Sequence, residues 1–388
     1  MLNTSITKDL LYFQEIYILV DNFDRYRIFQ TLFQDFPRRI VYCHTNVFSY
    51  LSARRQVSVD QKHLLLKRLG SRNDLQNLSI EEFKWNRRFK WSLDSTFLIA
   101  SKKQVSRAWV VWGGFQYAWQ CISTTVQIEA TFYFEIANFP GKLQCSRHGI
   151  NADGRYSDAI AKVTEKQSKE CISAVELNKL IDTWTPPHAD RRLIDQVLEQ
   201  VINNVCSKFF KSLAPKISIQ KALTTAFYAV LSRRMISKFK CIVLPVEYDL
   251  FIGQVSEDSQ IVFQSVETQV SAIKKASLLA KSRDMALVLR LHPAEKNYTE
   301  MLAVVNYATL NGIVISNIGS LGLAIKNASS IYTVNSTGGA HAFIYHKPVT
   351  CFGRAFYEGW QAEDVCTYYK LLLIDQNAPL YPVEKLSS

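Results

Sequence analysis

The sequence predicts an α/β protein with two globular domains, of which the second is a parallel doubly wound sheet. A chain of 388 residues exceeds the roughly 250 to 300 residues at which a single hydrophobic core stops growing. The chain opens with the order strand, helix, strand, and beyond residue 240 short apolar strands alternate regularly with helices. Such alternation is typical of a parallel sheet covered by helices.

The opening unit consists of a strand at 15–20 (EIYILV), an amphipathic helix at 23–36 and a strand at 38–44 (RRIVYCH). A cationic helical segment at 211–239 precedes the change to compact strand and helix units. We therefore expect a first domain at 1–235 and a second at 236–388.

The second half is predicted to contain strands at 241–246, 286–291, 312–317, 330–334 and 348–352, with helices near 266–282, 298–310, 320–327 and 337–346. In sheets of this kind, ligands bind at the carboxyl ends of the strands. The segments that follow three of the strands, 247–261, 292–295 and 335–341, are thus expected at one crevice.

Composition favours a cytoplasmic protein with acidic partners. The chain carries 46 Lys and Arg against 34 Asp and Glu, a net charge of +12, which suits nucleotides, anionic sugars, nucleic acid or anionic lipid. No apolar run approaches the length of a membrane span, and the N terminus lacks the succession of a secretory signal. The eight cysteines form no CxxC pair, and we expect them to be reduced thiols.

A run of basic and aromatic residues leaves two interpretations open. It consists of Lys84, Arg87, Arg88, Lys90, Lys102, Lys103 and Arg107, interleaved with Trp85, Phe89, Trp91 and Trp109. These residues suit a stacking platform for single-stranded nucleic acid. They suit equally a half-exposed sheet along which the aliphatic parts of cationic side chains lie.

Two of the strand ends carry residues suited to phosphate chemistry. Asn335, Ser336 and Thr337 precede a helix whose first turn is kept bare by Gly338 and Gly339, so that backbone N–H groups face outward; the alternative is an ordinary helix cap. His292 stands before Pro293, which fixes the turn. An imidazole there could assist a departing nucleotide oxygen, although a strand-end histidine can also be purely structural.

Four segments resemble the capsule polysaccharide synthesis proteins, a family that includes retaining β-Kdo transferases using CMP-Kdo. The segments are 134–152 (FEIANFPGKLQCSRHGINA), 243–261 (VLPVEYDLFIGQVSEDSQI), 290–295 (RLHPAE) and 332–360, in the family order. The most specific block is the Asn-Ser-Thr helix start followed by Lys347-Pro348-Val349 and by residues 353–357. The resemblance implies a GT-B-like fold, in which two Rossmann-like domains face each other across a cleft, with the acceptor mostly on the first and the CMP-sugar mostly on the second. It also implies that residues after about 368 cross back to the first domain.

The resemblance also implies roles for single residues. The Gln-Val-x-x-Asp-Ser pattern falls on Gln254, Val255, Asp258 and Ser259, and its Asp is similar to the nucleophile of the retaining Kdo transferases. Two successive inversions preserve configuration, and the first of them needs such a carboxylate. His292 would stabilise the CMP leaving group, and Glu135 would act as the base for the acceptor hydroxyl.

Donor binding is expected to involve Gln254, Ser259, Pro293, Asn335, Ser336, Thr337, Gly338, Arg354 and Tyr357, and sugar or acceptor binding Gly149 and Asn151. Arg354, or Arg290, would pair with the carboxylate of Kdo because guanidinium forks match carboxylates. His341 stands where many relatives carry a Glu in the helix, so nucleotide recognition is expected to differ there.

No metal or other cofactor is expected, because the sequence contains no Asp-x-Asp and a CMP-sugar leaves as a single phosphate ester. The expected partners are a CMP-sugar, a free or lipid-linked glycan acceptor and the inner membrane surface, not nucleic acid. Two other functions stay open at this point: another CMP-sugar transferase of sialyltransferase type, and a nonenzymatic basic protein that binds anionic glycan or nucleic acid.

Overall fold

The computed structural model describes residues 3–54, 61–66, 68–69, 92–93, 105–125, 128–164, 171–183, 201–203, 205 and 219–381. Residues 84–103 of the basic and aromatic run lie outside these ranges, apart from a two-residue strand at 92–93. Arg107 and Trp109 of that run lie in a strand, where Trp109 is buried in the core.

Seven strands form the first sheet. They are β1 (Glu15–Val20), β2 (Arg39–His44), β3 (Lys62–Leu65), β6 (Arg107–Trp112), β7 (Ala130–Ile136), β8 (Lys142–Ser146) and β14 (Ile374–Asp375), while β4 (Arg68–Leu69) and β5 (Ser92–Leu93) pair separately. Among the described residues before 200, the helices are α1 (Asn3–Leu11), α2 (Phe23–Phe33), α3 (Val47–Arg54), α4 (Tyr117–Thr125), α5 (Tyr156–Ile160) and α6 (Ala174–Thr183).

The strands β3-β2-β1-β6-β7 lie in this order and run parallel, β8 is antiparallel to β7, and β14 is antiparallel to β8. All six residues of β1 are buried. Its alternate side chains enter two different core clusters, because the sheet is covered on both faces. The strand order reverses between β1 and β6, which opens a crevice at their carboxyl ends.

The second sheet contains β9 (Tyr248–Ile252), β10 (Ala286–Arg290), β11 (Val314–Ile315), β12 (Ile331–Thr333) and β13 (Val349–Cys351). Its helices are α7 (Ile219–Lys238), α8 (Ser259–Gln264), α9 (Gln269–Ser282), α10 (Tyr298–Leu310), α11 (Leu321–Asn327), α12 (Thr337–Ile344) and α13 (Ala362–Thr367). All neighbours in the order β11-β10-β9-β12-β13 are parallel, and the order reverses between β9 and β12. The predicted α/β fold of GT-B-like type, with two Rossmann-like sheets, is confirmed.

The prediction of a strand at 241–246 is wrong. Those residues form no strand, and the central strand β9 begins at Tyr248. The sequence does not indicate β9 as an apolar strand because this strand contains Asp249. This carboxyl is buried, accepts a hydrogen bond from the Tyr332 hydroxyl (3.2 Å) and pairs with Arg283 (3.4 Å), so a charged residue lies inside an otherwise apolar strand.

The two sheets are connected by a shared core and by the C-terminal segment. We call the elements around the first sheet the first lobe and those around the second sheet the second lobe. Phe139 and Tyr156 of the first lobe pack with Tyr357, Trp360 and other residues of the second in one buried cluster. The chain then returns to the first sheet, where β14 pairs with β8 and the backbone N–H of Leu380 donates to Leu32.

Helix α7 runs through residue 236 and packs against α10. The rings of Tyr228 and Tyr298 stack with centroids 6.3 Å apart, and Ile236 is part of the core under the second sheet. The structure thus places α7, most of which precedes the predicted domain boundary, on the second lobe.

Candidate active site

Three loops meet at the point where the strand order of the second sheet reverses. The loop after β9 is held to the end of β10 by a hydrogen bond from Gly253 N to Arg290 O (2.9 Å), and β12 is held to β9 by the Thr333 hydroxyl, which donates to Ile252 O (3.1 Å). A Cβ at Gly253 would lie 2.8 Å from Arg290 O, so this approach of two backbones requires glycine. Of the three segments predicted to share a crevice, 292–295 and 335–341 leave strands at this same edge, whereas only 253–261 of the segment 247–261 does so, because 248–252 form β9.

Asp258 occupies the N-cap of α8 at this edge. Its Oδ1 accepts a hydrogen bond from the backbone N–H of Gln260 (2.9 Å), and its own N–H donates to Val255 O (3.0 Å). The carboxyl is only partly buried, whereas the neighbouring Glu257 is exposed. Ser259 is the first residue of α8. The N-cap bond therefore fixes the direction of a carboxylate that solvent, or a ligand, can reach.

His292 lies in the turn after β10 and is also partly exposed. Its Nδ1 accepts a hydrogen bond from the backbone N–H of Ala294 (3.1 Å), which places the proton of the neutral ring on Nε2. Pro293 is exposed beside it. The turn thus sets both the tautomer and the orientation of the imidazole.

Glu295 is a residue of this site that the sequence reasoning did not single out. Its carboxylate is 4% exposed and accepts hydrogen bonds from Ser256 N (2.7 Å) and Asn297 N (2.7 Å). These bonds tie the loop that carries Asp258 to the loop that carries His292. The available signal was its position three residues after the histidine, in a turn whose backbone N–H groups need acceptors.

Gln254 is buried behind these loops and is 4% exposed. Its backbone N–H donates to the side chain of Gln269 (3.0 Å), while neither atom of its own amide has a hydrogen-bond partner in the described part of the chain. It lines a small pocket together with His292 and Glu295. An amide placed in this way has both a donor and an acceptor to offer to a water molecule or a ligand group.

At the start of α12, Ser336 and Thr337 form the turn, and Asn335 lies buried beneath it. Ser336 is the N-cap of α12 and accepts from Gly338 N (3.3 Å), and Thr337 accepts from the side-chain amide of Asn138 (3.4 Å). Asn335 is fully buried and donates to Gln260 O (2.9 Å) and Arg354 O (3.2 Å). Asn335 therefore holds the start of α8 against α12 from beneath, and Ser336 forms the turn itself.

Tyr357 and Arg354 support the same turn from the C-terminal side. The buried Tyr357 hydroxyl donates to Ser336 O, and a Cβ at Gly339 would lie 2.3 Å from that hydroxyl. The exposed guanidinium of Arg354 donates to Gln264 Oε1 in the second lobe (2.9 Å) and to Asp153 Oδ1 in the first lobe (3.3 Å). Arg290, in contrast, donates to the carbonyl oxygens of residues 318 and 319, in the loop that follows β11.

The loop at 149–155 is a rigid turn of the first lobe. Asn151 is buried, has a φ of 53° and exchanges two hydrogen bonds with the side chain of Gln144. Gly149 has a φ of 145°, which a residue with a side chain rarely adopts. This turn presents Asp153 to Gln264 and Arg354 of the second lobe.

Glu135, near the end of β7, faces the second lobe. Burial raises its pKa to about 7, against the lowering effects of Arg25 and of hydrogen bonds from the Ile136 N–H and the Trp112 indole; the charge of Asp258 adds to the rise. A Cβ at Gly113 would lie 3.1 Å from its Oε2. Glu135 and Asp258, from different lobes, are therefore close enough to sense each other's charge.

Two further contacts hold the lobes together around this site. The rings of Phe115 and Phe263 stack with centroids 4.2 Å apart, which fastens α8 to the loop after β6. The Nε2 of His341 bonds to Asn138 O (3.2 Å), and burial lowers the pKa of this histidine to about 4. His341 is thus a neutral residue of the interface between the lobes.

Other features bear on cofactors, thiols and membranes. In the described ranges, no group of three or more His, Cys, Asp or Glu side chains is arranged to hold a metal ion. The six cysteines whose side chains the structure describes are free. Among the helices of the same ranges, none has the length and apolar content to cross a bilayer.

Similar proteins were found at the level of family, sequence and structure. The profile of a family described as capsule polysaccharide biosynthesis protein matches residues 96–366. The lipopolysaccharide-processing protein LpsZ of Rhizobium meliloti is 28% identical over 120 residues, which are 30% of this chain and 26% of that protein. The match thus spans about a quarter of the length of this curated relative.

Among solved structures, the β-Kdo 2,7 transferase KpsC of Thermosulfurimonas dismutans is 16% identical and aligns over 94% of each chain with a TM-score of 0.42. The β-Kdo 2,4 transferase KpsC of the same organism is 16% identical over 66% of this chain and 73% of the other, with a TM-score of 0.35. A UDP-GlcNAc 2-epimerase of Methanocaldococcus jannaschii is 12% identical over 86% and 83% of the chains, with a TM-score of 0.25.

Proposed function

Because the chain belongs to the capsule polysaccharide biosynthesis protein family, we propose that it is a glycosyltransferase that moves Kdo from CMP-Kdo to a glycan acceptor with retention of configuration. The main support is the position of Asp258, a partly exposed carboxylate at the strand-end crevice. It is tied to the His292 turn through Glu295 and lies within electrostatic reach of Glu135. Residues 236–388 would bind the donor, and residues 1–235 the acceptor.

In this proposal the start of α12 binds the phosphate. The Ser336 turn offers a hydroxyl and the N-terminal end of a helix, both of which favour an anion. The exposed guanidinium of Arg354 is the cation beside it that can exchange its Asp153 partner for the carboxylate of Kdo. The unpartnered amide of Gln254 supplies a further donor and acceptor from below.

The reaction proceeds in two displacements. In the first, a carboxylate oxygen of Asp258 bonds to the anomeric carbon of Kdo while the bond from that carbon to the phosphate oxygen breaks, and CMP leaves with its electron pair. The Nε2–H of His292 donates to the departing phosphate oxygen. In the second, Glu135 takes the proton of the acceptor hydroxyl, whose oxygen replaces Asp258 on the sugar.

The donor and the stereochemistry are tested by assaying the protein with CMP-Kdo, with CMP-sialic acid and with acceptors ending in galactose, glucosamine or Kdo. We expect transfer from CMP-Kdo alone and a β-linked product in the NMR spectrum. We also expect unchanged activity in excess chelator, since CMP leaves as a single phosphate ester. Transfer only from CMP-sialic acid would establish the sialyltransferase alternative, and release of CMP from neither donor would favour a nonenzymatic binding protein.

The pKa of Glu135 predicts how activity depends on pH. A base must be deprotonated to act, so kcat/KM for the acceptor is expected to fall about tenfold per pH unit below pH 7. The variant Glu135→Gln is expected to lose roughly 100-fold in activity at pH 8 and to lack this acidic limb. Glu129→Gln, a change at an exposed carboxylate just before the start of β7, is the control and should keep both. An intact limb in Glu135→Gln would assign the base to another residue.

If the proposal holds, the protein acts on the cytoplasmic side of the inner membrane, where nucleotide sugars are used, and its partners are the CMP-sugar and a free or lipid-linked glycan. Nucleic acid has no part in this reaction.

A further inference from the structure

The apolar residues at 241–246, which are not a strand, lie largely in solvent. Val246 is 98% exposed, Val243 78% and Ile242 41%. The backbone here is anchored, because Ile242 O accepts from the Ser316 hydroxyl (2.6 Å) and Phe239 O accepts from Asn317 N (2.9 Å). Single exposed apolar residues are common, but a short run of them on a backbone held in place by hydrogen bonds indicates a surface that another molecule covers.

The helix that leads into this run has an exposed face of matching character. Phe227 (60% exposed), Val230 (50%), Arg234 and Lys238 are spaced by three, four and four residues, which places them along one side of α7. The apolar half of this side comes first, and the cationic half adjoins residues 241–246. We call these four residues, with Ile242, Val243 and Val246, the α7 surface.

The segment that carries the α7 surface is predominantly cationic. The sequence from 219 to 247 contains the five cations Lys221, Arg233, Arg234, Lys238 and Lys240 and the single carboxylate Glu247. Exposed aromatic and aliphatic side chains beside clustered cations fit a partner that has an apolar interior under a negatively charged outer layer. The headgroup region of an anionic bilayer has this chemistry. A protein partner would have to supply both features in the same order.

We propose that the α7 surface docks the protein onto an anionic lipid membrane, with Val243 and Val246 entering the headgroup layer and Arg234 and Lys238 contacting lipid phosphates. This docking does not depend on the transfer reaction. It would hold the crevice near lipid-borne molecules whatever sugar the protein transfers.

The test is flotation of the full chain with vesicles of phosphatidylcholine alone or mixed with phosphatidylglycerol. We expect binding only to the anionic vesicles, and weaker binding as salt increases. Each cation near such a surface contributes enough for about a fivefold change in affinity, so Arg234→Gln with Lys238→Gln should weaken binding about 30-fold. Val243→Asp with Val246→Asp should weaken it at least tenfold, although both side chains are exposed and the fold is kept.

The matched control is Lys8→Gln with Arg27→Gln, which removes the same charge from exposed positions of α1 and α2 in the first lobe. It should bind like the unchanged protein, and all three double variants should unfold at the same temperature and transfer sugar equally well to a soluble acceptor. Equal losses in the control would mean that only net charge matters and would overturn the proposal. Absence of binding to anionic vesicles would overturn it too. So would a valine variant that still binds the vesicles but no longer self-associates, because the surface would then join two copies of the chain.

Discussion

Incubation with CMP-Kdo in the absence of an acceptor is expected to add one Kdo-sized increment to the mass of the intact protein, and Asp258→Asn is expected to abolish that increment. Without an acceptor the second displacement cannot occur, so the adduct accumulates. An amide cannot replace a carboxylate as the nucleophile. Turnover should fall about 10⁴-fold or more, the range seen when an enzyme loses a group on which its covalent step depends.

Asparagine is the informative replacement because Asp258 also caps α8. Its Oδ1 accepts from Gln260 N, and asparagine caps a helix about as well as aspartate, whereas alanine would cost about 1 kcal/mol of stability. Asp258→Asn should therefore unfold at the same temperature as the unchanged protein. A loss of activity in this variant is then a loss of chemistry, not of structure.

Glu257→Gln is the control, because it changes the adjacent exposed carboxylate and leaves the cap intact. This variant should form the adduct normally. Glu135→Gln should form it too and retain it longer when acceptor is added, since only the second displacement needs the base. Full transfer by Asp258→Asn, or an adduct that peptide mapping places on another residue, would contradict double displacement through Asp258.

The second half of the fold was predictable because its elements are short and separated by clear signals. The helices at 298–310 and 321–327 and the strand at 286–290 lie within a residue or so of the predicted ranges. β9 is hard to predict because a residue of a buried ion pair looks polar in sequence, and residues 241–246 resemble a strand because exposed and buried apolar runs look alike. The periodicity of apolar residues along the sequence does not show that a polar side chain, such as Asp249, is paired with a residue far away in the chain.

The site was predictable as a set of strand ends but not as a set of contacts. That Asp258, His292 and Ser336 lie at one edge follows from the rule for parallel sheets. Whether a polar residue faces the crevice or supports it depends on its partners. Asn335 and Asn151 are buried and hold backbone in place, and Glu295 joins two loops separated by 39 positions, as its bond to Ser256 records.

The effect expected for His292→Ala is a loss of roughly 100-fold in turnover, about 2.7 kcal/mol of transition-state stabilisation, without a change in the folded structure. His292 is partly exposed, and its Nδ1 accepts from Ala294 N, so the ring is oriented with its proton on Nε2. A donor at that position matters most when the phosphate oxygen gains charge, that is, as CMP departs.

The loss should consequently appear in the first displacement. Adduct formation from CMP-Kdo, followed by mass under single-turnover conditions, should slow by the same factor as turnover, whereas transfer from a preformed adduct should proceed at the normal rate. His292→Gln, which retains an N–H donor at a similar distance from Cα on a more flexible side chain, should recover part of the rate. The control is His346→Asn, a change at an exposed histidine whose φ of 54° asparagine tolerates. If His292→Ala turned over normally, the imidazole would be only a support for its turn, and the departing phosphate would depend on the start of α12 alone.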